Sequence, residues 1–268
     1  MITFAIAAHN EAECVEGVIG QAQEAAERGD RVLLVDSAST DDTADRARKL
    51  GVEVIDGPLG KGAAMAAGAA RVTTPWLCFL DGDMVEPHLN IPSVLRAAAA
   101  RAGDDTITVI GDFDDPPPQP VLGNTWAVYE PPVRALFPEA ADRFGSHPLS
   151  GFRVIRPEIA AGMPADFGAE AYLNLRAATS GRPWDIVHIG TYKQRFRYHG
   201  AAMGREVAAA IFDLAVTHGR LTPADRPAWE SWVERIVTEI AIYHGDHNDR
   251  AAWLTRVTEL ATTPLPGH

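Results

Sequence analysis

The chain has 268 residues, enough for one large α/β domain or for a domain with an appendage. Its formal net charge of −12 and its pI near 5.1 argue against nucleic acid as a partner, so an anionic ligand would need a metal or a few local cations. No apolar run reaches about 18 residues and no basic segment precedes the first strand, so we expect a cytoplasmic protein without a membrane span or signal peptide.

Four strands are predicted in the first third of the chain, at residues 2–8, 31–35, 52–55 and 76–80. Each is a short, mainly apolar run, and the fourth, Trp76 to Leu80, has no alternation, which is typical of a buried strand in a parallel sheet. The first three are followed by predicted helices that end near Arg28, Leu50 and Arg71. Such repeated units predict an open parallel sheet, whose ligands collect beyond the carboxyl ends of the strands. The polar residues expected to converge there are Glu11, Asp36, Ser37, Lys61, Asp81 and Asp83.

The stretch 76–85 carries the strongest chemical signal. Asp81 and Asp83 directly follow its apolar run, and two carboxylates at a sheet edge suit Mg²⁺ or Mn²⁺, which fill their remaining positions with substrate phosphates. The alternative is an ordinary Asp-Gly-Asp surface turn. Lys61 lies between two glycines at a predicted helix start, a position that suits an anionic group, although a solvated lysine in a turn is the other interpretation. The segment is not a Walker A loop, and no dinucleotide fingerprint follows the first strand.

Together these segments resemble the nucleotide-sugar half of the GT-A glycosyltransferases. The motifs are A-x-x-N-E-x-E, V-D-S-x-S-T-D-D-T, G-K-G and D-x-D, in that order. Within this superfamily the chain is most similar to the actinobacterial glucosyl-3-phosphoglycerate synthases and the mannosylglycerate-type synthases, also through residues 147–152, 167–171 and 200–207. The resemblance implies an α/β fold of the GT-A, Rossmann-like type: a mostly parallel sheet flanked by helices, with a C-terminal helical extension.

The resemblance also implies a role for each matched residue. The catalytic residues would be Asp83, Glu170 and Lys61, with Glu170 at the donor sugar. The nucleotide sugar would contact Ala7, Ala8, His9, Glu11, Asp36, Ser37, Lys61, Asp81 and Gly82. The metal would be held by Asp81, Asp83 and a histidine. The acceptor would contact Ser150, Gly151, Arg195 and Arg197.

Three departures from the family concern mainly the acceptor side. Ala7 stands where the family usually has proline, and Phe152 replaces an acidic residue after the acceptor loop. The identity of the third metal ligand stays open between three alternatives. Spacing from Gly190 points to Gln194, the nearest histidine is His199, or no third protein ligand is present. Arg195, Arg197 and Arg205 surround His199 as a basic patch, which suits an acceptor carboxylate or phosphate or is simply solvated surface.

We divide the chain into a nucleotide-sugar half (1–110), an acceptor half of the same domain (111–200) and a C-terminal helical segment (201–268). The proline-rich stretch 112–120 is either a surface linker or a loop beside the acceptor cleft. An apolar stripe from Trp229 to Tyr243 is typical of core packing and equally suits a homodimer interface. Residues 244–249 are expected to form a polar turn rather than a metal cluster. Cys14 and Cys78 are predicted to be small core residues rather than a disulfide.

The predicted function is metal-dependent transfer of a hexose from a nucleoside diphosphate sugar to a small polar or anionic acceptor with a hydroxyl group. The resemblance favours UDP-glucose and retention of configuration, and GDP-mannose and UDP-N-acetylglucosamine stay open as donors. A sugar-1-phosphate nucleotidyltransferase is one alternative. A homologue that binds a sugar nucleotide without turnover is the other.

Overall fold

A computed structural model of the chain describes residues 1–84, 87–117, 122–193, 200–242 and 250–267. The strands are β1 (Ile2–Ala8), β2 (Arg31–Ser37), β3 (Glu53–Gly57), β4 (Trp76–Asp81), β5 (Thr108–Asp114), β6 (Arg153–Ile155) and β7 (Trp184–Thr191). The α-helices are α1 (Val15–Ala25), α2 (Thr43–Lys49), α3 (Lys61–Ala69), α4 (Ile91–Arg101), α5 (Glu130–Leu136), α6 (Ala169–Thr179), α7 (Gly200–Thr217), α8 (Arg226–Ile242) and α9 (Arg250–Ala261). A π-helical segment, Asn124–Tyr129, leads into α5.

These strands form one sheet in the order β3-β2-β1-β4-β6-β5-β7. β6 runs antiparallel to both of its neighbours, and the other pairings between the described strands are parallel. The predicted mostly parallel α/β sheet is therefore confirmed. Because β6 is reversed, it begins at the edge where β1, β2, β4 and β5 end. The chain segment that enters β6 is thereby brought to the polar edge of the sheet.

Both faces of the central strands β1, β2 and β4 are buried, which explains why these strands are mainly apolar. On β4, Leu77 and Phe79 belong to the core that includes α6–α9, whereas Cys78 and Leu80 belong to the core beneath α1 and α4. Successive side chains of a strand point to opposite faces, so a strand between two layers must be apolar at every position. Both cysteines are free, and Cys78 is a buried core residue as predicted, whereas Cys14, just before α1, is only partly buried.

Strand ends differ from the predicted ones in two places that matter for the site. β4 continues through Asp81, so the first carboxylate of the D-x-D is the last residue of a strand rather than part of a turn. β5 continues to Asp114, so the predicted boundary at residue 110 falls inside a strand, and the proline-rich stretch starts as part of the sheet. Residues 118–120 of that stretch lie outside the described residues.

The C-terminal helices pack onto the sheet domain. The stripe on α8 is buried within the chain itself, with Trp229 and Trp232 each 2 % exposed. The Trp232 indole N–H donates to Thr263 Oγ1 at 2.9 Å, which ties α8 to the residues that follow α9. Core packing therefore accounts for the stripe. The homodimer stays a prediction, and the stripe is not the surface that would form it. Tyr243 and the predicted turn 244–249 lie outside the described residues. Among the helices described, none has the length and apolar character needed to cross a membrane.

Candidate active site

The loops that follow β1 and β2 are fastened to each other beyond the sheet edge. His9 Nδ1 lies 2.6 Å from the Ser37 carbonyl oxygen, and because a carbonyl only accepts, the ring donates. The Thr40 N–H donates to Asn10 Oδ1 at 2.8 Å. The buried Glu11 is held through its own N–H, which donates to a threonine hydroxyl at the start of α2 at 2.8 Å. The predicted nucleotide residues of both loops thus form one continuous surface.

Asp36 lies at the centre of this surface and is only 8 % exposed. Its Oδ2 accepts the Ser39 N–H at 3.3 Å, whereas Oδ1 is buried without a hydrogen-bond partner among the described residues. Leaving a buried acceptor unpaired costs about 1–3 kcal/mol, so this atom favours a ligand that brings an N–H or O–H group. The neighbouring Ser37 hydroxyl donates to the Pro58 carbonyl at 2.9 Å and accepts the Gly60 N–H at 3.1 Å, which ties β2 to the start of α3.

Lys61, Asp81 and Glu170 form a charged cluster at the edge of the sheet. Lys61 Nζ lies 3.2 Å from Asp81 Oδ1 and 2.7 Å from Glu170 Oε1. Glu170 is nearly enclosed, with 3 % of its side chain exposed, while 23 % of the Lys61 side chain reaches solvent. Burial alone would lower the pKa of Lys61, but the two carboxylates outweigh burial and raise that pKa above its usual value. Lys61 therefore stays protonated, and Lys61 and Asp81, which is 28 % exposed, are the members of the cluster that reach solvent.

The backbone of residues 164–166 packs against the start of α3. The Gly62 N–H donates to the Asp166 carbonyl at 3.2 Å and the Ala63 N–H to the Ala165 carbonyl at 2.8 Å. A Cβ on Gly62 would lie 2.0 Å from the Pro164 carbonyl oxygen, so the close approach requires glycine. The Gly62 and Ala63 N–H groups are therefore already used within the chain and are not open to an anion. The ammonium of Lys61 remains the group that can meet an anion.

The same contact positions Glu170. The segment that closes α3 leads directly into α6, where Glu170 occupies the first turn. The Phe167 N–H donates to Glu206 Oε2 of α7 at 3.1 Å, which holds the approach to α6 from the other side. A carboxylate in the first turn of a helix is also favoured by the helix dipole. Lys61 and Glu170, each predicted to be catalytic and more than a hundred residues apart in sequence, are brought into contact in this way.

The predicted acceptor loop lies directly against the D-x-D. A Cβ on Gly151 would lie 2.4 Å from Asp81 Oδ2. On the other side of the carboxylate, the Gly82 N–H donates to the Ala7 carbonyl at 2.9 Å, which binds the D-x-D turn to the end of β1, beside the buried Ala8. Ser150 is buried, and its N–H donates to the His147 carbonyl at 2.9 Å. The residues predicted for the donor side and those predicted for the acceptor side therefore come into contact at Asp81.

A buried arginine beneath this loop was not anticipated from the sequence. Arg153 donates from Nε to the Ser150 carbonyl at 3.1 Å, from Nη2 to the Pro148 carbonyl at 3.2 Å and from Nη1 to Asn174 Oδ1 at 2.9 Å. Burial lowers its pKa, while Glu170 and other nearby groups favour the charged form. The planar guanidinium thus fixes the backbone of the loop from below. The sequence carries one signal of this contact, a lone arginine in the otherwise apolar run 152–155. A charged side chain in a buried strand must be paired, so its position implies hydrogen-bond partners.

The residues at this edge fit a divalent cation of the Mg²⁺ or Mn²⁺ type. Asp81 and Asp83 supply two carboxylates, and 28 % of the Asp81 side chain is exposed to solvent. Within the described ranges, no group of three or more histidine, cysteine or acidic side chains is arranged to hold a metal. Both candidates for a third ligand, Gln194 and His199, lie outside those ranges. A two-carboxylate set matches cations that complete their shell with phosphate oxygens and water.

The predicted basic patch is represented by one described residue, Arg205. Its Nε and Nη2 lie 2.7 Å and 2.6 Å from the two carboxylate oxygens of Glu234, on the surface between α7 and α8. Arg205 is therefore engaged by Glu234, which favours the solvated-surface alternative for this residue. Arg195 and Arg197 lie outside the described residues.

Residues 3–154 match the sequence model of a family described as glycosyl transferase family 2, over more than half of the chain. The chain belongs to glycosyl transferase family 2. The matched range contains Lys61, both carboxylates of the D-x-D and Gly151, and it ends before Glu170 and the C-terminal helices. The predicted resemblance to GT-A glycosyltransferases and the predicted enzyme class are confirmed. Nothing in this membership favours the nucleotidyltransferase alternative.

Similar family members come from actinobacteria. An uncharacterized glycosyltransferase of Mycobacterium tuberculosis is 29 % identical over 195 residues, which cover 70 % of this chain and 83 % of the relative. Among solved structures, glucosyl-3-phosphoglycerate synthase of M. tuberculosis in complex with UDP aligns with a TM-score of 0.65 and 25 % identity, over 80 % of each chain. Mannosyl-3-phosphoglycerate synthase of Rubrobacter xylanophilus shares the fold with a TM-score of 0.68 at 21 % identity, over 83 % of this chain and 76 % of that one.

Proposed function

We propose that this glycosyltransferase moves a hexose from a UDP-sugar, with UDP-glucose as the favoured donor, to a hydroxyl of a small polar or anionic acceptor, using Mg²⁺ or Mn²⁺. The observation that carries the proposal is the cluster in which Lys61 pairs with Asp81 and Glu170 directly beside Gly151. The M. tuberculosis synthase supports it, because that protein has been crystallised with Mn²⁺, UDP-glucose and phosphoglyceric acid.

The base would be read at Asp36. Its unpaired, buried Oδ1 is an acceptor that requires a donor. Uracil offers N3–H and guanine offers N1–H at the corresponding edge, whereas cytosine and adenine offer only an exocyclic amino group there, beside a ring nitrogen whose lone pair would face the carboxylate. We therefore expect uridine or guanosine diphosphates to bind and cytidine or adenosine diphosphates to be rejected. His9 and Glu11, in the loop that is fastened to that of Asp36, would line the base and ribose.

The diphosphate would be bound at the D-x-D. Asp81 and Asp83 would hold the metal, with His199 as our candidate for the third ligand. When bound, the metal neutralises charge on the diphosphate as a Lewis acid. Lys61 adds a fixed positive charge on the same side, and its raised pKa keeps it protonated throughout the physiological range. A preorganised cation where negative charge develops lowers the barrier to departure of the diphosphate.

The sugar would lie beside Glu170. In the transfer, the bond from the anomeric carbon to the diphosphate oxygen breaks and a bond to the acceptor oxygen forms. The Glu170 carboxylate lies 2.7 Å from the Lys61 ammonium, and a carboxylate in this position is suited to stabilise positive charge on the sugar ring. The acceptor proton would then pass to the departing diphosphate on the same face, which gives retention. Deprotonation by Glu170 from the opposite face would instead give inversion.

The acceptor would occupy the space in front of Ser150 and Gly151. Phe152, which departs from the family pattern, is buried and packs edge-on against Phe113 and Tyr192, so this substitution changes the support of the loop rather than its open face. Arg195 and Arg197 are our candidates for binding an acceptor carboxylate or phosphate. An anionic acceptor is supported by the phosphoglyceric acid bound to the M. tuberculosis synthase.

The test is release of UDP from UDP-glucose with Mn²⁺, with 3-phosphoglycerate and glycerol 3-phosphate as trial acceptors. We expect Asp83→Ala to abolish metal-dependent turnover with little change in melting temperature, because the residue lies at a loop after β4 rather than in the core. Asp185→Ala, which removes an exposed carboxylate on β7, is the matched control and should behave as wild type. Turnover by the Asp83 variant at the level of this control would refute the proposal.

A further inference from the structure

Asp112, near the end of β5, is hydrogen-bonded to the residues just before the predicted acceptor loop. Asp112 accepts hydrogen bonds from the Ser146 N–H at 3.0 Å, from the Ser146 hydroxyl at 2.9 Å and from the His147 N–H at 3.0 Å. Burial alone would raise the pKa of Asp112, but these donors outweigh burial and lower that pKa. An ionised carboxylate thus anchors the turn at 145–147.

His147 extends this anchor to the proline-rich stretch. Its Nδ1 lies 3.1 Å from Asp112 Oδ1 and its Nε2 lies 2.9 Å from Asp115 Oδ2. The ring stacks on Phe113, with the centroids 3.8 Å apart and the planes 18° from parallel. The residue is 8 % exposed, so the ring does not move freely. Carboxylate oxygens within hydrogen-bond distance of both nitrogens and a stacked face together hold the imidazole in one orientation.

The anchor acts on residues that form the site. The His147 carbonyl accepts the Ser150 N–H, and the next residue, Gly151, is the one in contact with Asp81. Arg153 holds the same loop from below through the Pro148 and Ser150 carbonyls. His147 is therefore a second anchor, which joins the loop to β5 rather than to the helix layer.

We propose that His147 is a positioning residue for the acceptor, an inference that rests on the proposed function. Its pairs with Asp112 and Asp115 hold residues 147–151 at the depth where Gly151 meets Asp81, and so set the place of the attacking hydroxyl. His147 itself touches neither donor nor acceptor. The start of the proline-rich stretch then belongs to the acceptor side of the cleft, because its Asp115 pairs with His147.

Two pairs of variants test this role. His147→Phe keeps a ring that can stack on Phe113 and removes both polar contacts. Its control is His188→Phe, because His188 Nε2 also pairs with a carboxylate, Asp114 at 3.2 Å, but both side chains are exposed, at 56 % and 74 %. Asp115→Asn retains an oxygen that accepts from His147, whereas Asp115→Ala does not, so the asparagine variant should rescue what the alanine variant loses.

The first readout needs no ligand. We expect His147→Phe and Asp115→Ala to speed amide hydrogen exchange in residues 145–151 by about tenfold or more, the effect of losing a charge-assisted hydrogen bond. Exchange in residues 36–43 should not change. The His188 control and Asp115→Asn should match wild type. Wild-type exchange in the His147 and Asp115→Ala variants would overturn the inference.

The second readout separates positioning from folding. With UDP-glucose, Mn²⁺ and 3-phosphoglycerate, we expect UDP release by His147→Phe to fall by about tenfold to 10²-fold, as for a displaced reactant. Stabilisation by UDP and Mn²⁺ should be unchanged, since the donor loops are elsewhere. Equal loss of UDP binding and turnover would indicate a merely structural role and overturn the inference. If wild type lacks metal-dependent turnover, the proposed function fails, and the exchange experiment still decides whether His147 holds the loop.

Discussion

Substituting Gly151 by alanine perturbs the place where donor and acceptor elements meet. The added Cβ would lie 2.4, 2.5 and 2.7 Å from the carboxylate atoms of Asp81, whereas ordinary contacts begin at 3.4 Å. The loop or the carboxylate must therefore move by about 1 Å, the difference between the shortest contact and an ordinary one. Because Arg153 and His147 hold the loop, we expect the carboxylate to give way and to lose its 3.2 Å contact with Lys61.

A displacement of about 1 Å in a reactant-positioning group costs roughly 10²-fold in rate, or about 2.7 kcal/mol of transition-state stabilisation. The assay is kcat/KM for UDP release from UDP-glucose with Mn²⁺, and the overpacked loop should also lower the unfolding free energy by about 1–3 kcal/mol. Gly17→Ala in α1 is the matched control, because nothing lies within 4 Å of its added Cβ. A Gly151→Ala enzyme as active as this control would refute the packing argument.

Three further predictions concern the charged groups around the site. Lys61→Met should lower the unfolding free energy by about 1–3 kcal/mol, because it leaves Glu170 buried without its ammonium, and adding Glu170→Gln should restore stability but not turnover. Arg153→Met should cost about 3–5 kcal/mol in urea unfolding, and Arg153→Lys should recover only part of it, because an ammonium lacks the planar fork. Asp112→Asn should reduce the loss of stability on acidification. The pKa of Asp112 is lowered in the folded protein, so its carboxylate stabilises the fold at pH values above its unfolded pKa, and this stabilisation is lost as the pH falls through its folded pKa.

Each of these has a result that would contradict it. A Lys61→Met protein of wild-type stability would mean that Glu170 is solvated rather than enclosed. Full recovery by Arg153→Lys would show that charge, not hydrogen-bond geometry, holds the loop. If the stability difference between wild type and Asp112→Asn is the same at pH values above and below about 3.9, the reference pKa of aspartate, Asp112 makes no pH-linked contribution.

The donor half of the site was predictable because its signals are local. Each buried strand is an apolar run that ends in polar residues, and the carboxyl ends of parallel strands must share an edge. This reasoning correctly brought Asp36, Lys61 and Asp81 together. It could not reveal that β4 includes Asp81 or that the start of α3 is closed by residues 164–166, because both depend on contacts between distant segments.

The acceptor side depends on such contacts almost entirely. The reversal of β6 is not encoded in any periodicity, yet it carries Gly151 to the D-x-D and places Arg153 beneath the loop. Likewise, Asp112 and Asp115 appeared only as part of a proline-rich stretch, and their partner His147 lies more than thirty residues away. Sequence reasoning offered the loop beside the acceptor cleft as one of two alternatives for that stretch, and the contacts of His147 favour it.

The most direct test of the account is thermal stabilisation of the wild-type protein by UDP, GDP, CDP and ADP, each with Mn²⁺ and with a chelator. A ligand at about a hundred times its Kd adds about 2.7 kcal/mol, which is a shift of about 5 °C or more in a domain of this size. The account predicts that UDP or GDP gives this shift only with Mn²⁺, that CDP and ADP give none, and that Asp83→Ala abolishes it. A folded protein that responds to no nucleotide, or equally well with and without metal, would contradict the claim that this edge of the sheet is a metal-dependent sugar-nucleotide site.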